Sequence, residues 1–521
     1  MEKQFPPTPE QQNIISAARD RTENLMIFAL AGTGKTTALK LMAPHIPSKS
    51  ILALAFNKKN AGDLERAFCE PGEDGSPPLA PWIVCRSFNS LGHRALASAT
   101  GRRPILDDKK IAKLTTAYTK KLGGVSDDEW GNLSNLVKRA RMLGLVPQKY
   151  PQSRRSLLSD DSWGWESAAE SINIDLSEAL MVGAREILCQ SIDLAQAGTI
   201  DYDDQIYMSV LFAGLYQKYH TVLCDESQDI SHLNRLQLLK SCGSRLIVAG
   251  DQKQGIYAFR GADSQSMQKI KELKPDWIDL PLTVTWRCPK AIVARQQSHA
   301  PGYTAAPEAP DGTLLDWRGE KQWTIPSTTW AGSDSVVPNA ILCRNNAPLI
   351  SLAFALLRKR IGIKVLGRDF GKSLTGMVKK VAGEHIIGVE EFATEFRLWY
   401  EQQCRLARAA DKEEKIDRLT DQYESIMAVI ESGGKDITTV RHIISALEQL
   451  FEKADGQITL STGHKAKGLE WHTVLHLDPW RIPSKWAATN PIALEQELNL
   501  QYVIETRAKD TLILANLEQF Q

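Results

Sequence analysis

Uninterrupted apolar runs of strand length recur along the chain, at Leu25 to Leu30, Ile51 to Phe56, Thr221 to Cys224, Leu246 to Ala249, Ala340 to Cys343 and Thr473 to Leu477. Each is followed by a stretch of helical character. A strand that lacks polar alternation is buried on both faces, so such runs alternating with helices predict parallel sheets covered by helices, an α/β fold. The runs form two groups, each interrupted by a long stretch of different composition: residues 96–198 in the first, and residues 371–456, with the charged helical segment Glu395 to Ser432, in the second. The pattern predicts two parallel-sheet domains, 1–95 with 199–280 and 281–370 with 457–521, each carrying an inserted, mainly helical subdomain. Glu70 to Pro81 and Pro301 to Gly312, rich in proline and glycine, read as surface loops.

Composition changes this picture little. At 521 residues the chain has material for about three or four domains. Lys and Arg number 63 against 62 for Asp and Glu, so no global field attracts a polyanion, and nucleic acid must be met by a local patch. The eight cysteines, Cys69, Cys85, Cys189, Cys224, Cys242, Cys288, Cys343 and Cys404, include no close pair that could start a zinc or iron–sulfur site. Reduced thiols in the cytoplasm (nucleoid) or nucleus are expected. The first residues lack an apolar leader core, and no run of about 18 apolar residues occurs, so neither secretion nor a membrane role is expected.

The chemistry starts after the first run. In Ala29-Leu-Ala-Gly-Thr-Gly-Lys-Thr-Thr37, Gly32 and Gly34 let backbone N–H groups approach phosphate at the start of a helix. Lys35 is placed to reach the β and γ phosphates and the Thr36 hydroxyl to hold Mg²⁺, with Ala31, Gly32, Thr33, Gly34 and Thr37 completing the cradle. The general P-loop pattern has Gly where Ala29 stands, so this is a variant. Kinases, GTPases and motors all use such a loop. The second site, Val222-Leu-Cys-Asp-Glu-Ser-Gln-Asp229, discriminates, because a buried strand delivers Asp225 and Glu226 together at the edge where open α/β sheets bind ligands. Asp225 can hold the metal, and Glu226 can orient and activate water. A small-molecule kinase has no need of that second carboxylate, since its nucleophile is the substrate. Taken alone, an Asp-Glu pair is more often a solvated surface feature.

The string DESQD at Asp225 resembles the DEYQD or DEFQD box of the superfamily 1 helicases of the UvrD, Rep and PcrA group, and further boxes follow in order. Thr8-Pro-Glu-Gln11 is similar to the Q box, Ile51 to Ala61 to motif Ia and Arg86-Ser-Phe-Asn-Ser90 to motif Ib, with Asn89 where the family usually has His. Gly250 to Ala262 closely resembles motif III (GDxxQxIYxFRGA), and Leu282 to Pro289 resembles LxxNYRS with Trp286 in place of Tyr. Leu460 to Glu470 is similar to motif V and Glu497 to Lys509 to motif VI, where Glu505 stands at a position commonly apolar and Ile504 at one commonly small. The wording is nearest to the F-box DNA helicase branch and its phage relatives, although no F-box-like segment precedes the Q box.

The resemblance implies two RecA-like domains, ATP and Mg²⁺, and single-stranded DNA with its junctions to duplex as substrate. It assigns Gln11 to the adenine edge, Trp286 to stacking on the base, Glu470 to the ribose, Gln254 to γ-phosphate sensing, and Arg287 and Arg507 to the γ-phosphate. It assigns strand contacts to Phe56, Asn57, Phe88, Tyr257, Phe259 and Arg260, and strand or phosphate contacts to Thr462, His464 and Lys467. Stacking on aromatic faces suits a motor because it ignores base identity. Gly468 suggests close backbone approach. Trp480 and Trp486, between motifs V and VI, are candidate wedges at the last base pair, with core tryptophans as the competing reading. The expected activity is a DNA-stimulated ATPase translocating 3′ to 5′ by ligand-driven domain closure, in replication, recombination or repair and monomeric in isolation. The alternative is an ATP-binding clamp or scaffold that grips nucleic acid without unwinding it.

Overall fold

The computed structural model describes residues 6–71, 77–150, 156–172, 174–256, 265–318, 337–383, 385–409, 412–452 and 455–520. The chain divides into two compact units, Met1–Ala29 with Gly34–Leu282, and Leu30–Thr33 with Thr283–Gln521.

The first unit is built on strands β1 (Asn24–Ala29), β2 (Ile51–Ala55), β3 (Ile83–Ser87), β4 (Ile105–Leu106), β5 (Thr199–Ile200), β6 (Tyr219–Cys224), β7 (Cys242–Gly250) and β8 (Trp277–Leu282). Six of these form a sheet in the order β3-β2-β6-β7-β1-β8, parallel at every pairing. Alternate residues of one strand enter different cores. Leu25, Ile27, Ala53, Leu223 and Ile247 lie in one cluster, and Met26, Leu52, Leu54, Val222 and Val248 in another. Burial on both faces explains the uninterrupted apolar runs of these strands.

Between β4 and β5 lie the helices Lys110–Lys121, Asp127–Leu143, Ser162–Glu170 and Glu178–Gln196. Their apolar faces close on a separate core that includes Ile111, Leu136, Val137, Trp165, Ile187 and Leu188. The helical stretch is fastened at its base by the β4–β5 pairing and by buried charges. Arg141 pairs with Asp201 at 2.8 Å, Asp204 at 2.9 Å and Asp203 at 3.0 Å, and Lys110 pairs with Asp204. Charges this deep persist only when paired, and removing one partner would strand the other.

The second unit carries β9 (Val284–Thr285), β10 (Thr304–Ala305), β11 (Thr313–Asp316), β12 (Ala340–Cys343), β13 (Ile363–Val365), β14 (Ile458–Thr462), β15 (Trp471–Leu477) and β16 (Ala508–Ala515). Six form a second all-parallel sheet, β11-β16-β15-β12-β14-β13. Helices Arg368–Ala382, Val389–Ala409, Glu413–Gly433 and Val440–Glu452 fill the stretch between β13 and β14. Unlike their counterparts in the first unit, they share the core of the sheet: Leu374, Phe392, Phe396, Ile426, Val429 and Leu447 cluster with Ile341, Leu460, Leu475 and Ile513. Asp421 strengthens the join by accepting hydrogen bonds from the Asn346 and Ala347 N–H groups at 2.8 and 2.9 Å, capping helix Asn346–Arg358 from a neighbouring helix. All eight cysteines are free thiols. Among the described residues no helix is long and apolar enough to cross a membrane.

Candidate functional site

In the first unit the helix Lys35–Met42 begins right after the glycine loop that ends β1. Gly34 caps it in the left-handed region (φ 74°), and Gly32 also has a positive φ of 70°. An L side chain is strained in that conformation, which is the physical reason for glycine at both positions. Thr36 and Thr37, in the first turn of the helix, are exposed. Gln11 is buried; its Oε1 accepts from the Thr8 N–H at 3.0 Å in a capping box at the start of helix Pro9–Asp20.

Lys35 bridges two carboxylates, with Nζ 3.1 Å from Asp225 Oδ1 and 2.7 Å from Glu226 Oε2. Burial works against its charge, but attraction to Asp225 and Glu226 outweighs that cost and raises the ammonium above its ordinary value. The two acids sit just beyond β6. Glu226 adopts φ 54°, ψ 41°, a conformation rare for a side-chain-bearing residue, and its N–H donates to Asp225 Oδ1 at 2.8 Å.

A relay leads away from Glu226. Gln228 Nε2 donates to Glu226 Oε2 at 2.5 Å, the Gln228 Oε1 accepts from the Asp251 N–H at 3.0 Å, and Gln254 Nε2 donates to Asp251 Oδ2 at 2.7 Å. Gln254 is thus joined to the Glu226 carboxylate through Gln228 and Asp251, two residues to which the motifs assign no role. Both stand inside strings that were read, DESQD and GDQKQ, but nothing in a linear pattern shows which amide faces which carboxylate.

In the second unit, Arg287 Nε donates to Glu470 Oε2 at 2.6 Å, and Lys509 pairs with the other oxygen of Glu470. Trp286 is exposed, and its N–H donates to the Gly32 carbonyl at 2.9 Å. Ala31 is held from both sides: its N–H donates to Tyr502 Oη at 2.8 Å and its carbonyl accepts from Tyr303 Oη at 2.7 Å. A Cβ on Gly32 would lie 2.5 Å from Arg287 Cβ, a second demand for glycine there. Arg507 is buried, donating to the Val503 carbonyl at 2.9 Å, the Leu469 carbonyl at 3.3 Å and Thr506 Oγ1 at 3.2 Å. Burial and the nearby Arg287 push its guanidinium down to about 10. Ala31, Gly32, Trp286, Arg287, Glu470 and Arg507 therefore gather in this unit, while Gln11, Gly34, Lys35, Asp225, Glu226 and Gln254 gather in the first.

The strand contacts divide. Phe56 is 36% exposed at the end of β2, and Asn57 caps helix Lys58–Cys69 by accepting from the Asn60 N–H at 2.8 Å. Both line a cavity of about 730 Å³ in the first unit, together with Lys58, Arg86 and Asn89. Phe88 is a correction: as the first residue of helix Phe88–Thr100 it is 1% exposed, packed in the core with Leu52, Leu91 and Val222, so its ring cannot stack on a base. The cavity, which Phe88 also borders, presents Tyr202, an aromatic to which no motif assigns a role, 56% exposed and with its carbonyl accepting from Asn89 Nδ2 at 2.7 Å. Its ring is flanked in sequence by Asp201, Asp203 and Asp204, and an aromatic among aspartates was the available signal. Tyr257, Phe259 and Arg260 lie outside the described residues.

Thr462, the last residue of β14, is buried, whereas His464 and Lys467 just beyond it are half-buried. Gly468 has φ 83° with nothing within 4 Å of a built Cβ, so it serves the backbone turn and not close approach. Trp480 is 63% exposed with the Arg481 guanidinium 4.6 Å from its ring centre. Trp486 is half-buried, its Nε1 enclosed by protein. Exposure suits a wedge at 480 and packing suits a core role at 486.

The sequence model of the UvrD/REP helicase N-terminal domain matches residues 8–275, and that of the UvrD-like helicase C-terminal domain matches residues 368–519. The chain is 24% identical to F-box DNA helicase protein 1 of Schizosaccharomyces pombe over 97% of its own length and 57% of that protein. It is 23% identical to the ATP-dependent DNA helicase UvrD2 of Mycobacterium tuberculosis, over 94% of this chain and 76% of that protein. With the ATP-dependent DNA helicase PcrA of Bacillus subtilis it shares 22% identity over 94% of this chain and 80% of that one. The chain thus spans little more than half of the F-box relative.

Proposed function

The chain belongs to the UvrD/REP helicase family, and from that premise we propose that it is an ATP-dependent DNA helicase travelling 3′ to 5′ along single-stranded DNA. It opens duplex, or displaces bound proteins, at junctions with single strand in replication, recombination or repair. The observation that carries the ATPase part is Lys35 on a phosphate loop, bridged to Asp225 and Glu226 at the edge of a parallel sheet.

Lys35 and the loop N–H groups bind the β and γ phosphates, and Glu226 orients water for attack while Gln228 fixes its carboxylate. The Asp225 carboxylate and Thr36 hydroxyl are hard oxygen donors that fit Mg²⁺ and would hold it. Bound there, the ion neutralises charge on the phosphates. Gln11 and Trp286 take the base, Glu470 the ribose, and Arg287 and Arg507 stabilise the γ-phosphate in the transition state. Phe56, Asn57, Thr462, His464 and Lys467 hold the strand, joined by Tyr257, Phe259 and Arg260 from motif III and by Tyr202. Alternating grip driven by hydrolysis gives directed stepping.

The test is steady-state ATP hydrolysis with and without single-stranded DNA, beside unwinding of duplexes carrying a 3′ or a 5′ tail. Stimulated turnover and opening of the 3′-tailed duplex alone are expected. Nucleotide and DNA binding without stimulated turnover would instead identify the clamp.

A further inference from the structure

Glu505 is a carboxylate that motif chemistry does not use. It is completely buried in the last turn of helix Pro491–Glu505, where the partial negative charge of the helix end disfavours an anion. Five donors compensate. Arg295 grips it bidentately, Nε to Oε2 at 2.7 Å and Nη2 to Oε1 at 2.9 Å. Gln501 Nε2 donates at 3.1 Å, Gln296 Nε2 donates to Oε2, and His476 Nδ1 lies at 3.3 Å on β15. An apolar side chain would fill the same space without holding any of these groups.

The elements so joined are those that present the two arginines. Helix Lys290–Gln296, which supplies Arg295 and Gln296, starts just after Arg287, while Arg507 follows Glu505 across Thr506. Cys288 Sγ–H donates to the Thr506 carbonyl at 3.6 Å, so the residues next to the two arginines are in direct contact. The same last turn carries Tyr502, whose Oη accepts from the Ala31 N–H of the phosphate loop.

We propose that Glu505 is a positioning residue for ATP hydrolysis, clamping helix Lys290–Gln296 to the last turn of helix Pro491–Glu505 so that Arg287 and Arg507 are held at a fixed separation. The proposal rests on the ATPase reading above. Because the placement of the arginines matters most for the charge redistributed in the transition state, loosening the clamp lowers turnover more than it weakens ground-state binding. A displacement of about 1 Å in such a site costs on the order of 10² in rate.

The experiment measures DNA-stimulated kcat, the KM for ATP, affinity for single-stranded DNA and Tm for the full chain and for Glu505→Gln, Arg295→Met, Arg295→Lys and the Glu505→Gln/Arg295→Met double variant. Expected are kcat losses of about 10-fold or more in Glu505→Gln and Arg295→Met, with KM and DNA affinity within about 2-fold, since the lost interaction is one realised in the transition state. Arg295→Lys, which keeps the charge but not the bidentate grip, recovers part of the loss, and the double variant is no worse than the poorer single one. Should Glu505→Gln fail to fold, the two Arg295 variants, at the partly exposed end of the pair, carry the same comparison. The proposal is overturned by a full kcat per folded molecule in the variants, by a rise in KM at unchanged kcat, or by additive losses. An unmodified chain with no stimulated turnover would instead sink the ATPase reading itself.

Discussion

Lys35, half-buried, and Arg507, fully buried, are cations in motifs expected to face phosphate, and their surroundings differ. Lys35 lies 3.1 and 2.7 Å from two carboxylates that raise its pKa, so its charge is stabilised by the protein. Arg507 donates to carbonyls and a hydroxyl, has Arg287 for a charged neighbour, and is pushed down by burial. The first cation is satisfied within its own unit. The second is preorganised by backbone carbonyls and a hydroxyl, while burial and the neighbouring Arg287 disfavour its charge.

The largest effects should fall on turnover and be common to both. Lys35→Met and Arg507→Met are each expected to lower ATP hydrolysis by on the order of 10³ or more. Binding separates them. Fluorescent-nucleotide titration should show affinity lost in Lys35→Met and largely kept in Arg507→Met; equal losses would erase the contrast.

Thermal melting gives the next largest difference. Lys35→Met leaves Asp225 and Glu226 facing each other without their cation, a defect worth about 3 kcal/mol or more for a buried partner. Arg507→Met removes a charge that burial already disfavours, so its Tm should fall less than that of Lys35→Met. A lower Tm for Arg507→Met than for Lys35→Met would reverse the reading.

Smaller effects sharpen it further. Gln228→Leu deletes the amide between Glu226 and Asp251, and kcat should fall by about 10-fold, the rate equivalent of one or two lost hydrogen bonds, with ATP affinity little changed. Glu470→Gln frees Arg287 from a partly exposed ion pair, so a change of only about 2- to 5-fold in KM is expected. An effect of Glu470→Gln larger than that of Gln228→Leu would show that the second unit, not the first, has its charges fixed in advance.

Much of this was legible before any coordinates. The strands at Leu25, Ile51, Val222, Leu246, Ile341 and Val474 announced themselves because both of their faces are buried. β3 and β8 did not. In β3, Val84 and Arg86 are half-buried between buried neighbours, and β8 is an edge strand containing Pro281. The phosphate loop and the Asp-Glu pair were readable because their chemistry is local, within a few residues of one strand end. Phe88 was misplaced because a motif names an aromatic without saying which way it faces: Ser87 caps the helix, and the next side chain turns inward. The surroundings of Glu505 were out of reach, since Arg295 is 210 positions away and His476 is 29.

The two helical stretches differ in a way that bears on protein engineering. The one between β4 and β5 has a core largely its own and a compact base of paired charges, and could be exchanged with that of another chain as a cassette, provided Arg141 and its aspartates travel together. The one between β13 and β14 lends Phe392, Phe396, Ile426 and Leu447 to the sheet beneath it, so excising it would strip that sheet of its cover and invite aggregation.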